Sequence, residues 1–272
     1  MVKCRAYTKA DLFEQLRSMN APRDSIVLMH SSLRLIGQIE GGGEALLSAL
    51  VEYFTEGGGL FCVPAHTWNR LGEEITLDVT DPKTCLGAFS DLAVRSGLGI
   101  RTENPTHSMV VFGNADRALK FAEGEIHVSS GTAVESCYGK LYRMGGKVLL
   151  VGVSHNKNTY LHCVEEMLGM HDVRLSKEPH RVRVKRHSGE IVTCHIRSHH
   201  TAFTNDVSLR FPKYETAFRY HGAITDGFLG NAPAQLCDAR VMKDVMELIC
   251  SRAGRDPLED EAAFPPKWYV SE

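Results

Sequence analysis

Apolar positions recur with two different periods along the chain, and the switches between them mark out its elements. Leu12, Phe13, Leu16 and Met19 fall three and four apart behind Thr8, a hydroxyl placed to cap, and predict a helix over 8–19. Pro22-Arg-Asp24 breaks it, and Ser25-Ile-Val-Leu-Met-His30 is a short apolar run suited to a buried strand. Leu46, Leu47, Leu50, Val51 and Phe54 then repeat at helical spacing between two glycine triplets, and Leu60-Phe-Cys-Val-Pro64 is a second buried strand. Strand, glycine turn, helix, glycine turn, strand predicts a βαβ unit, which is a parallel pair joined by a right-handed crossover.

The same reading predicts helices over 86–94, 116–121 and 159–170 and strands over 108–112 and 147–153, the last bounded by Gly145-Gly146. Beyond Pro179 the period shortens to two. Val182 and Val184, a Ser188-Gly189 turn, then Ile191-Val192 and Ile196 predict a half-buried antiparallel hairpin near 181–197. The basic run Arg181-Val-Arg-Val-Lys-Arg-His187 reads as the solvent face of that hairpin. A further segment over 223–229, then Gln235-Leu-Cys237, precede a helix over 238–251. The last residues, about 253–272, carry Pro265-Pro266 and read as a surface tail. No repeat, low-complexity tract or flexible linker divides the chain. The expected architecture is α/β: a single three-layer domain over 1–272, with a mixed, parallel-leaning sheet and the hairpin added to it.

A formal net charge of −2 and a pI near 6.7 give no electrostatic footprint for nucleic acid or for an acidic membrane surface. No apolar run reaches the roughly 18 residues needed to span a bilayer. Met1-Val-Lys-Cys-Arg5 leads into a polar stretch rather than a signal peptide. None of the eight cysteines (4, 62, 85, 137, 163, 194, 237 and 250) forms a C-x-x-C pair, and most lie in apolar runs. The expectation is a cytoplasmic protein with free thiols.

Four constellations could carry chemistry. His30-Ser-Ser-Leu33 leaves the first strand before Gly41-Gly-Gly-Glu44 opens a helix. Hydroxyls and free N–H groups there suit phosphate or amide oxygens, and they equally suit a plain tight turn. Neither a P-loop nor G-x-G-x-x-G is present. Asn104-Pro-Thr-His-Ser-Met109 runs into a strand and either lines a cleft or serves as turn chemistry. Ser154-His-Asn-Lys-Asn-Thr-Tyr-Leu-His162 leaves the best strand and enters a helix, with Asn158 expected as N-cap. His162 and Glu165, three apart, share a helix face, where a carboxylate fixes the tautomer of an imidazole and raises its basicity. That suits a general base, although a surface polar pair would show the same spacing. In Cys194-His-Ile-Arg-Ser-His-His200 the histidines at 195 and 199 could bind a metal if the segment were helical, but the preceding alternation reads as strand. If the strand continued, His195 and His199 would share a face about 13 Å apart at roughly 3.3 Å per residue. No G-x-S-x-G elbow marks a nucleophilic serine.

Taken in order, several stretches resemble the aminoglycoside 3-N-acetyltransferases, the antibiotic N-acetyltransferases. They are Met29-His-Ser-Ser-Leu33 with Ile36-Gly37 and Gly41-Gly-Gly-Glu44, Pro105-Thr-His-Ser-Met109, Gly139-Lys-Leu-Tyr142, Lys147-Val-Leu-Leu-Val-Gly152, Asn158-Thr-Tyr-Leu-His162 with Glu165, and Gly230-Asn-Ala232 before Gln235-Leu-Cys-Asp238. The resemblance implies acetyl-CoA as donor, a small polar amine as acceptor, and direct transfer without a covalent enzyme intermediate or a metal. By position it makes His162 catalytic with Glu165 beside it. It places His30, Ser31, Ser32, Leu33, Thr106, Ser108 and Met109 against the cofactor, and His107, Glu166 and Asp206 against the substrate. The sequence departs from the pattern after the hairpin. Relatives that modify aminoglycosides carry several carboxylates there, whereas Ser198-His-His-Thr-Ala-Phe-Thr-Asn-Asp206 holds one acid and two histidines. That leaves open an acceptor less charged than an aminoglycoside, such as an amino sugar. A competing reading is a histidine-rich metal-dependent hydrolase, in which His66, His107, His155 and His162 converge on a metal. Oligomeric state is not legible.

Overall fold

The computed structural model describes residues 6–270. Cys4 and the Met1–Arg5 start lie outside the described residues.

Seven strands form the main sheet: β1 (Ile26–Ser31), β2 (Leu60–Pro64), β4 (Ile100–Arg101), β5 (Met109–Phe112), β6 (Lys147–Val151), β9 (Ile224–Leu229) and β10 (Ala232–Asp238). Their order is β4-β5-β2-β1-β6-β10-β9. The parallel pairings are confined to the centre, where β1 lies between β2 and β6. Antiparallel strands extend the sheet on both sides, so it is mixed. The predicted βαβ unit is β1, the helix Gly42–Thr55 and β2.

Period two along the central strands sorts the core into two halves. Ile26, Leu28, Leu60, Cys62, Val148 and Leu150 face one side and pack on helices 137–143, 160–167 and 239–253. Val27, Met29, Phe61, Val63, Leu149 and Val151 face the other, against helices 9–18, 42–55 and 88–95. Burial of each such side chain contributes roughly 1.5–3 kcal/mol, and a one-residue slip would exchange the two faces, so the register is strongly specified. Thr8 caps the first helix as expected, in a reciprocal capping box with Asp11.

The hairpin is β7 (His180–Lys185) and β8 (Ile191–Ile196), and β3 (Leu77–Asp78) joins it parallel to β7 as a second, three-stranded sheet. Arg183 and Lys185 pair with Glu74 and Asp78, consistent with a solvent face. Two expectations are corrected. The segment after 253 is not a surface tail: Leu258, Phe264 and Tyr269 are buried in the core on the 239–253 side. Asn158 does not cap the helix that carries His162. Thr159 holds that position, and Asn158 is buried with its amide nitrogen 3.2 Å from His155 Nδ1. The described cysteines are all free, four of them buried. No helix among the described residues is long and apolar enough to cross a membrane.

Candidate active site

A cavity of about 750 Å³ opens where β1, β2 and β6 end. The carboxyl ends of parallel strands leave backbone groups and following loops unpaired, which is where open α/β sheets place their sites. After β1 the wall is His30 to Arg34; at the end of β2 it is Val63, Pro64 and His66; after β6 it is Asn156 to Thr159 and then His162. Gly152, with φ of 62°, makes the turn out of β6, and a Cβ there would stand 2.9 Å from Leu35 Cβ. Because β5 is antiparallel, it starts rather than ends at this side and brings Thr106 and His107 to the wall.

The segment that follows the hairpin closes the cavity. Past β8 the chain is held by Arg197 N on Ser129 O and by His200 N on Arg174 O, both 2.8 Å, and this sets His199 into the wall. His199 stacks on His162 with ring centroids 4.2 Å apart and planes 27° from parallel. His107 lies 5.1 Å beyond His199, and His66 4.6 Å beyond His107. His66 Nε2 is 2.8 Å from the buried Tyr138 hydroxyl, and His107 Nδ1 is 2.9 Å from Thr106 Oγ1. The row fits only because residue 131 is glycine, where a Cβ would stand 2.0 Å from His107 Nδ1.

Burial sets the charge of this row. It holds His162 down at about 4, against the opposing pull of Asp206, and pushes His66, His107 and His199 well below the usual imidazole range. His30 is held near 3 for the same reason. All five are neutral at pH 7 and able to accept a proton. His162 Nδ1 lies 3.5 Å from Glu165 Oε2, a contact without hydrogen-bond alignment, and neither atom has another partner. Burial raises Glu165 to about 7, although Arg174 beside it favours the carboxylate.

Of the residues expected at the site, His30, Ser31, Ser32, Leu33, Thr106, His107, His162 and Asp206 line the cavity. Ser108, Met109 and Glu166 are not among the lining residues. Ser108 Oγ donates to Ala65 O, Met109 points into the core, and Glu166 accepts from the Ser130 and Thr132 hydroxyls behind the wall. Glu165 also stands behind the wall, in contact with His162. Of the four histidines in the metal reading, His155 is buried against Phe218 instead. Among the described residues, no three histidine, cysteine or carboxylate groups gather as metal ligands. His195 and His199 do not share a strand face, because β8 ends at Ile196; His195 lies exposed on the small sheet. His199 escaped sequence reasoning as a site residue, as did the wall residues Arg34, Trp68 and Lys157, since only tertiary contacts bring them in.

Residues 28–250 match the aminoglycoside 3-N-acetyltransferase family. Aminoglycoside N(3)-acetyltransferase IV of Salmonella sp is 27% identical over 259 residues, 93% of this chain and 89% of that protein. The prophage-derived aminoglycoside N(3')-acetyltransferase-like protein YokD of Bacillus subtilis (strain 168) is 25% identical over 178 residues, 58% of this chain and 64% of its own. Among solved structures, the apoenzyme of aminoglycoside acetyltransferase AAC(3)-IVa superposes with a TM-score of 0.76 at 25% identity, covering 98% of this chain and 95% of that one. With its motifs, fold and cavity in agreement, the chain belongs to the aminoglycoside 3-N-acetyltransferase family.

Proposed function

We propose that the protein transfers an acetyl group from acetyl-CoA directly to an amine of a small polar acceptor, with His162 as general base. The observation that carries this reading is the His162–Glu165 pair, with His162 in the wall of the cavity and Glu165 behind it. His30 Nε2 and Asn158 Oδ1 are buried there without a hydrogen bond. Such orphans are rare in native structures and are natural partners for the amides of a pantetheine arm. Arg34 and Lys157 follow adjacent strands, line the same cavity and have no ion-pair partner among the described residues, which suits the phosphates of coenzyme A. In this reading Ser31, Ser32 and Thr106 touch the donor, and His107 and Asp206 face the acceptor.

The chemistry follows from the neutral imidazole. The acceptor nitrogen attacks the thioester carbonyl as His162 takes its proton, and the thiolate of coenzyme A leaves as the carbonyl reforms. In its carboxylate form Glu165 stabilises the imidazolium. Calorimetry tests the donor. Acetyl-CoA should bind without added metal, and Arg34→Ala with Lys157→Ala should weaken it about five- to twentyfold, as expected for two partly screened ion pairs. Unchanged affinity in the double variant would refute the phosphate placement.

The acceptor follows from charge. Arg34, Lys157 and Arg197 line the cavity, and Asp206 is its one carboxylate among the described residues. Such a wall disfavours a polycation. At low salt, kcat/KM should fall about two- to fivefold with each ammonium added to an amino-sugar acceptor, an effect that salt removes. A four-amine aminoglycoside outperforming a monoamine sugar at low salt would count against it.

A further inference from the structure

Glu165 has two carboxylate oxygens in unlike surroundings. Oε1 accepts a hydrogen bond from Arg174 Nε, whereas Oε2 has no hydrogen bond and faces His162 Nδ1 at 3.5 Å. Arg174 is itself clamped. Its Nη1 and Nη2 donate to the two oxygens of Asp256 at 2.7 and 2.8 Å, a planar two-point grip, and its side chain is 1% exposed. Asp256 belongs to the segment after the last long helix, whose Leu258 is in the core. The Arg174 carbonyl meanwhile accepts from His200 N at 2.8 Å, next to the His199 ring that stacks on His162. One residue therefore touches the carboxylate behind the imidazole, the loop in front of it and the C-terminal segment.

We infer that Arg174, gripped by Asp256, is a positioning residue for the proton transfer: by occupying Oε1 it favours the carboxylate form of Glu165 and leaves Oε2 for His162 Nδ1, so that Nε2 is the nitrogen offered to the acceptor. This rests on the assignment of His162 as the base. The argument is one of charge and geometry. A buried carboxylate without a cation takes up a proton, and a protonated Glu165 neither fixes the tautomer of His162 nor stabilises its cation. Asp256 adds direction, because a guanidinium held at both Nη atoms presents Nε along one line.

The groups facing Glu165 are His162 on its own helix, Arg174, Asp256, Tyr214 and Cys250. Burial pushes the Tyr214 hydroxyl up, and Cys250 up to about 11, so neither ionises in the working range. Asp256 is held below the usual carboxylate range: burial pushes it up but Arg174 and the Leu258 amide outweigh that. His162 additionally faces His199 and Asp206. Glu165 is then the group whose charge changes near neutrality.

The test uses the whole protein, acetyl-CoA, and whichever of glucosamine, sisomicin, apramycin and gentamicin has the highest kcat/KM. Arg174→Met should lower kcat about 10- to 100-fold at pH 7, a typical loss when the group supporting an active residue is removed. The KM for acetyl-CoA should stay within a few-fold, and part of kcat should return as pH rises towards 9, where Glu165 ionises again. In a Glu165→Gln background the same change should cost nothing further, because the two act through one path. Should Arg174→Met not fold, Asp256→Asn gives the same pattern at smaller amplitude. Nitrogen-15 NMR of histidine-labelled protein reads the His162 tautomer without any substrate, and should show Nδ1–H in the native protein and a mixture in either variant. Losses that multiply in the Glu165→Gln background, with a pH profile of unchanged shape and an unchanged tautomer, would overturn the role of Arg174 while leaving His162 as base. Full turnover in His162→Ala would overturn the underlying assignment as well.

Discussion

Replacing His162 with alanine is expected to lower kcat by about two to four orders of magnitude while leaving acetyl-CoA affinity nearly intact, the range lost when a positioned general base is removed. Four imidazoles stand in a row, and geometry selects among them. His66 is engaged by Tyr138, His107 by Thr106 and His199 by Thr132 at 3.3 Å. Only His162 has a carboxylate oxygen at its second nitrogen, 3.5 Å away. No carboxylate is among the charges acting on His107, so nothing nearby would hold the cation formed there. His107→Ala should therefore reduce kcat by no more than about tenfold, and Glu165→Gln should cost less than His162→Ala because the imidazole remains. Steady-state kinetics of the three variants decides. Abolished turnover in His107→Ala with near-native turnover in His162→Ala would assign the base to the other histidine.

Acid should destabilise the fold well above the range in which ordinary carboxylates titrate. Burial holds His30 near 3 and His155 and His162 near 4, and keeps His66, His107 and His199 well below 6.5. A histidine with a depressed folded pKa binds its proton first in the unfolded chain. Its contribution to stability is complete above pH 6.5 and is lost as pH falls towards the folded value. Each such group loses about 1.4 kcal/mol per pH unit within that window. Glu125, Glu165 and Glu166, raised by burial, act in the opposite sense between their folded values and 4.5. More histidines are shifted down than carboxylates are shifted up, so the histidines set the direction and stability falls as pH drops from 7.5 to 5.5. The melting temperature should fall between pH 7.5 and 5.5. A flat melting temperature across that interval would show that the histidines are solvated rather than buried.

The central strands were legible because they are continuous apolar runs between glycines, and the hairpin because its valines alternate. The loop from Ser154 to Glu165 was legible for the same reason: a strong strand feeding a polar stretch and then a helix puts polar side chains at a sheet end. Ser108 and Met109 show the limit of that reasoning. They sit beside Thr106 and His107 in sequence, but once the strand begins its side chains alternate between two buried faces and leave the cleft. Glu166 turns away similarly, one residue from Glu165 and therefore about a quarter-turn round the helix, towards Ser130 and Thr132. What local pattern could not carry is everything assembled over long separations. Arg174 meets Asp256 across 82 residues, Thr132 meets His199 across 67, and Leu258, Phe264 and Tyr269 have no regular spacing to betray their burial. Pro265-Pro266 suggested exposure there, yet prolines only stop the helix and say nothing of where the chain goes next.

The central claim is direct acetyl transfer from acetyl-CoA to an amine, and the most direct test is coenzyme A thiol release followed with and without acceptor. The panel is the same amino sugar and aminoglycosides, with the acceptor products identified by mass spectrometry. The account predicts thiol release that depends on the amine, one acetylated amine product for each thiol formed, and no acetylated protein in the absence of acceptor. Release at the same rate with no amine present, or an acetyl group trapped covalently on the protein, would contradict it.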